Sequence, residues 1–148
     1  MKQGCTVAIK LIATLSLSVL AGCAVMTDRQ SSARVVSAER EFPPEGQFID
    51  VNGRQVHAVV RGSGPDLVLI HGAGGNAREF TFDFMDRLTD RYRVIVFDRP
   101  GLGFTDRTDE KYDSAFTTEA EGPQEQAAML QAAAAMIGAD NPIVLGHS

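Results

Sequence analysis

The sequence predicts an α/β domain, a β-hairpin followed by parallel strands joined by crossover helices. Three observations carry this. The apolar runs Leu67-Val68-Leu69-Ile70, Val94-Ile95-Val96-Phe97 and Ile143-Val144-Leu145 are continuous rather than alternating, as expected of strands buried on both faces. Segments of helical periodicity separate them, which implies a parallel sheet with crossover helices. Ahead of them, Asn52-Gly53, the strongest two-residue hairpin signal, divides two stretches of strand character.

The 148 residues suit one domain, and the first 23 stand apart from it. Lys2 and Lys10 give a positive start, and Leu11 to Ala21 is uncharged and mostly apolar. A spanning helix takes about 20 residues. The shorter run fits the apolar region of a secretory signal, roughly 7–15 residues followed by small ones. Leu20-Ala21-Gly22-Cys23 resembles the lipobox of bacterial lipoproteins, in which the cysteine is lipidated and becomes the first mature residue. The resemblance implies a signal peptide over 1–22 and a membrane anchor at Cys23. With Ala24 next, it points to the outer membrane or periplasmic face of the cell envelope.

Cys5 lies in the signal, so the mature chain keeps Cys23 alone and has no disulfide framework. Removing Lys2 and Lys10 from 14 basic residues leaves 12 against 19 acidic ones, a net charge near −7. Such a chain is a poor partner for nucleic acid or an acidic lipid surface. Residues 23–47, polar, mixed in charge and carrying Pro43-Pro44, read as a tether.

The domain is expected over 48–148. Phe48 to Val51 and Arg54 to Val60 form the hairpin, with Val56, Ala58 and Val60 on one face and Gln55 and His57 on the other. On that alternation His57 faces solvent and has no role. After the strand 67–70 comes a Gly-rich loop, then a helix. Asn76 is placed to cap it, Glu79 follows three residues on, and Phe80, Phe84 and Leu88 share one face. The strand 93–97 leads into a polar loop from Thr105 to Glu121. Pro123 opens a second helix at the position where its missing N–H costs nothing. Met129, Ala133, Met136 and Ile137 are its expected buried stripe, and Gly138 ends it. The last strand runs from Pro142 to Leu145.

Three loops follow the C-terminal ends of these strands, the edge where open α/β sheets place their sites. The first is His71-Gly72-Ala73-Gly74-Gly75, small residues that let backbone N–H groups approach a developing oxyanion. Neither phosphate-cradling glycine pattern is present in register, so a nucleotide site is not indicated. The second is Asp98-Arg99-Pro100-Gly101-Leu102-Gly103-Phe104-Thr105. The third is Gly146-His147-Ser148, where a strand runs into Gly-x-Ser, the start of a nucleophile elbow.

Together these motifs resemble the α/β-hydrolase fold enzymes, in order and spacing, from Phe48 to Ser148. The one departure is Thr105, where Ser is common. The resemblance implies that Ser148 is the nucleophile and that the Ala73 N–H is one oxyanion donor. It implies that His71, Gly72, Gly74 and Gly75 shape that loop, that Asp98 orders its own, and that Gly146 and His147 belong to the elbow. A serine there points to esters, thioesters, amides or carbon–carbon bonds, cleaved through an acyl-enzyme. The substrate would be a small molecule, with no cofactor and no metal.

The family's triad order is Ser, then Asp or Glu, then His. Both partners would follow Ser148, so the 148 residues are expected to be an inactive N-terminal portion of the fold, incomplete at the C-terminus. Two other readings are a non-catalytic surface lipoprotein that uses the half-fold for binding, and one half of a split enzyme.

Overall fold

The computed structural model describes residue 30 and residues 33–114 and 117–147. The signal segment and Cys23 lie outside them, as does Ser148. The chain divides into two compact units, Met1–Pro43 and Pro44–Ser148. In the first, residues 33–41 form a helix, α1, with every side chain exposed. The polar stretch read as a tether is therefore partly helical. The helix stops before Pro43-Pro44, as a residue ahead of proline disfavours the α region. No helix among the described residues is long and apolar enough to cross a membrane.

The second unit begins earlier than the hydropathy pattern suggests. Glu45 and Gly46, placed in the tether above, belong to it, and β1 spans Gln47–Val51. It pairs antiparallel with β2, Arg54–Arg61, and Val51 faces Arg54 across the turn. Asn52 and Gly53 have φ of 54° and 83°, the left-handed pair that a two-residue turn needs to match strand twist. Three further strands follow: β3 (Asp66–Ile70), β4 (Arg93–Phe97) and β5 (Ile143–Gly146). The sheet order is β1-β2-β4-β3-β5. β3 runs parallel to β4 and β5, whereas β2 joins β4 antiparallel, with Ala58 opposite Phe97.

This mixed sheet is packed on both faces. Ile95 and Phe97 join Ile49, Val51, Val56, Ala58 and Val68 on one face. Met129, Leu130 and Ala133 of α3 (Pro123–Met136) cover them. Val94 and Val96 point the other way and join Val59, Leu67, Leu69, Ala77, Phe80 and Met85. Successive residues of β4 thus serve opposite cores, which is why the strand reads as an unbroken apolar run. Each such side chain contributes about 1.5–3 kcal/mol by leaving water.

Three local expectations are corrected. The helix after the Gly-rich loop, α2, spans only Arg78–Thr81. The Met85 N–H reaches the Phe80 carbonyl and Leu88 N–H the Met85 carbonyl, so the helical ladder breaks. The break turns Met85 fully into the core and leaves Phe84 40% exposed. On α3, Leu130 takes the buried place expected of Met136, which is 62% exposed. β5 is the edge strand of the sheet among the described residues, so its apolar run Ile143, Val144 and Leu145 is exposed. The polar loop 105–121 buries Thr105 and Tyr112, the latter in a short 3-10 turn, Glu110–Tyr112, with its hydroxyl donating to Glu125.

Candidate active site

Because β3, β4 and β5 are parallel, the segments that follow Ile70, Phe97 and Gly146 leave the sheet at one edge. The three sequence motifs are these segments. His71 is 1% exposed. Its Nδ1 lies 2.9 Å from the Gly72 carbonyl, and its Nε2 accepts the Arg99 N–H at 2.9 Å. The first contact needs a donor and the second an acceptor, so the ring is the Nδ1–H tautomer. Gly72 is buried, while Ala73 and Gly74 are exposed and Gly75 half-buried. Among the described residues the Ala73 N–H has no hydrogen-bond partner. Asn76 is not the cap of α2, which is Ala77 and carries no side-chain cap bond; Asn76 lies one residue earlier, where its Oδ1 accepts the Arg78 N–H at 2.9 Å. Glu79 does not complete a capping box. Its carboxylate lies against Gly75, where an added Cβ would come within 1.9 Å of it.

Asp98 is 1% exposed and accepts three hydrogen bonds. Its Oδ1 takes the Ala77 N–H at 2.6 Å. Its Oδ2 takes the Phe104 N–H at 2.9 Å and faces His57 Nδ1 at 2.8 Å. Burial alone would raise its pKa. The bonds from His57, Phe104 and Ala77 stabilise the anion more, and hold the carboxyl below its usual range. Gly103 makes this enclosure possible. It has φ of +54°, and a Cβ there would sit 2.2 Å from the Asp98 carboxylate. Thr105 keeps the polar function of the more common Ser, its hydroxyl accepting the His57 N–H at 2.9 Å.

His57 is the residue that sequence reasoning missed. It is 3% exposed, not on a solvent face. Nδ1 meets Asp98 and Nε2 meets the Glu45 carbonyl, and the rings of Phe48 and Phe104 flank it, each with its centroid 5.3 Å away. Burial lowers its pKa, but the bonds to Asp98 and Glu45 outweigh that and raise it above the ordinary histidine value. Strand alternation could not reveal this, because both faces of β2 are covered from Val56 to Val59.

At the third motif the His147 N–H bonds the Ile70 carbonyl at 2.9 Å and extends the β3–β5 ladder. Its ring is 64% exposed, with Nδ1 3.7 Å from Glu79. A Cβ on Gly146 would meet nothing within 4 Å among the described residues. Phe80, Phe84, Leu145, Gly146, Glu79 and His147 line an open cavity of about 470 Å³ beside this strand end. Among the described residues no cluster of His, Cys, Asp or Glu could hold a metal ion.

The sequence profile of the alpha/beta hydrolase family matches residues 67–148, more than half of the chain and all three motifs. The chain belongs to the alpha/beta hydrolase family. It is 42% identical over 53 residues to the uncharacterized hydrolase YraK of Bacillus subtilis, covering 36% of this chain and 19% of that one. It is 45% identical over 51 residues to a pimeloyl-[acyl-carrier protein] methyl ester esterase of a Shewanella species, covering 34% of this chain and 19% of the esterase. Among solved structures, a bacterial membrane phospholipase A, described as a virulence factor, superposes with a TM-score of 0.58 at 28% identity. That match covers 93% of this chain and 43% of the phospholipase. This chain thus spans about a fifth of the length of the curated relatives it matches.

Proposed function

We propose that the chain carries the nucleophile and one oxyanion donor of a serine hydrolase, exported and anchored to the cell envelope through a lipidated Cys23. Ser148 attacks the substrate carbonyl, and the Ala73 N–H receives the developing oxyanion. Collapse of the resulting tetrahedral intermediate breaks the bond to the leaving group, which departs with the proton that the base took from Ser148, and the acyl-enzyme left behind is hydrolysed by water. The observation that supports this reading best is the Ala73 N–H, without a hydrogen-bond partner among the described residues, on a loop held at the sheet edge where β5 delivers Gly146-His147.

Neither His57 nor His71 is free to act as base, because both are buried with both ring nitrogens engaged, and His147, 64% exposed, is the residue next to Ser148 in the elbow and belongs to none of the family's triad positions. The base and its carboxylate would come from polypeptide following Ser148, in the family's order, so the 148 residues alone are inactive in this reading. One relative is named an esterase and a structural neighbour a phospholipase, which makes a carboxylic ester the first substrate to test.

The test extends the chain through its downstream reading frame and compares three proteins: the extended form, its Ser148→Ala variant and the 148-residue chain. Each is treated with a fluorophosphonate and with a p-nitrophenyl ester. Labelling and turnover in the extended form only, lost in Ser148→Ala, are expected. Undiminished turnover by Ser148→Ala would remove the nucleophile assignment. The anchor is tested separately, by palmitate labelling that Cys23→Ala should abolish.

A further inference from the structure

His57 lies at one end of a continuous chain of hydrogen bonds that reaches the loop of the first motif. β2 runs antiparallel to β4, which sets His57 beside the end of β4 where Asp98 begins its loop. The Glu45 carbonyl and Asp98 Oδ2 are both acceptors, one at each ring nitrogen. Only a doubly protonated ring can donate to both. The second Asp98 oxygen holds the Ala77 N–H at 2.6 Å, and Ala77 closes the segment that starts at His71. At the other end of that segment His71 accepts the Arg99 N–H. Residues 71–77 are therefore fastened twice to the segment after β4, and Ala73 lies between the fastenings. The cavity at this junction is only about 10 Å³, so the groups are packed on one another and leave no ligand pocket.

We propose that His57 is a positioning residue for the oxyanion loop. As an imidazolium clamped between Glu45 and Asp98 it keeps the carboxylate turned toward Ala77, and loss of its proton loosens the loop that carries the Ala73 N–H. The inference rests on the reading of residues 71–75 as the oxyanion loop. On losing one proton the ring can keep its bond to Asp98 or to Glu45, not both. Either loss frees a group in the chain of contacts. The charges around the ring are Asp98 after β4, the Glu45 carboxylate before β1, which Arg61 of β2 engages, and Arg78 on α2, which opposes the imidazolium. Phe48 and Phe104, whose rings flank it, are apolar.

The experiment is an NMR titration of the 148-residue chain from pH 5 to 9, following the His57 ring and the amides of Ala73 and Ala77. It needs no turnover, so it can fail while the hydrolase reading stands, and the reverse. The two amides should shift with the midpoint of His57. The protection factor of Ala77 against hydrogen exchange should fall about tenfold across it. His57→Gln should remove the titration, and Asp98→Asn should lower the His57 midpoint and uncouple both amides. If His57 titrates while Ala73 and Ala77 stay still, the proposal is wrong. It is equally wrong if the amides titrate unchanged in His57→Gln. Should either variant not fold, the titration of the parent chain decides alone.

Discussion

The Nδ1 of His57 lies 2.8 Å from Oδ2 of Asp98, and both side chains are almost fully buried. The pair joins the hairpin to the segment after β4, which in turn holds the loop after β3. Its two pKa shifts have opposite pH signatures. Asp98 is held below its unfolded value near 3.9, so its contribution is present above about pH 4 and is lost as the pH falls through the lower folded value. His57 is raised above about 6.5, so its contribution is complete below that and is lost as the pH rises through the folded value. The pair is therefore most stabilising between about pH 4 and 6.5. Urea midpoints should peak in that window and decline on the alkaline side, and His57→Gln should flatten the alkaline decline. An alkaline limb of the same slope in the variant would assign it to another group.

Gly103→Ala should be among the most damaging single substitutions. The left-handed backbone disfavours any side chain by about 1–2 kcal/mol, and the new Cβ would displace the Asp98 carboxylate. Disturbed bonds from Ala77, Phe104 and His57 bring the expected loss to about 3 kcal/mol or more. Gly53→Ala is the control, since its φ is also positive but a Cβ there meets nothing within 4 Å. It should cost only the backbone share, about 1–2 kcal/mol. Chemical denaturation of both variants measures the difference. Equal losses would mean that the Asp98 contact adds nothing.

Arg93 fastens the far end of the sheet. Its Nε is 2.5 Å from Asp66, and its other nitrogens donate to the carbonyls of Ile137 and Gly138 just past α3. The Arg93 bond, helped by the Asp140 N–H, holds the Asp66 carboxyl below its usual range. Arg93→Met keeps the apolar stem and should cost about 1–3 kcal/mol through the unpaired carboxylate and carbonyls. Faster hydrogen exchange at Asp140 should accompany the loss. A variant as stable as the parent would show the contacts to be incidental.

The exposed edge of β5 should make the 148-residue chain self-associate. Ile143 and Val144 are 54% and 59% exposed on a strand paired on one side only, and flat apolar edges template further pairing. Val144→Lys should shift sedimentation toward the monomer with a stability change within about 0.5 kcal/mol. Unaltered association would locate the contact elsewhere, with the exposed Phe82 the next residue to replace.

The sequence by itself determined the strands and their class. A run such as Val94 to Phe97 can be satisfied only between two apolar layers, and Asn52-Gly53 accepts a turn that few other pairs can. It also determined the three loops at the strand ends, because their glycines and polar residues have no other use in so apolar a setting. Helix extents were less legible. Phe80, Phe84 and Leu88 have helical spacing, yet packing Met85 into the core outweighs one more turn of hydrogen bonds. Only the tertiary structure decided the burial and the partners of His57. Its neighbours in the chain mark it as the outward residue of a half-buried strand. What buries it is a set of groups distant in sequence, Glu45, Asp98 and Phe104, brought to it by an antiparallel register that hydropathy does not encode. Burial and partnership are properties of the assembled sheet, and so is the raised pKa that follows from them.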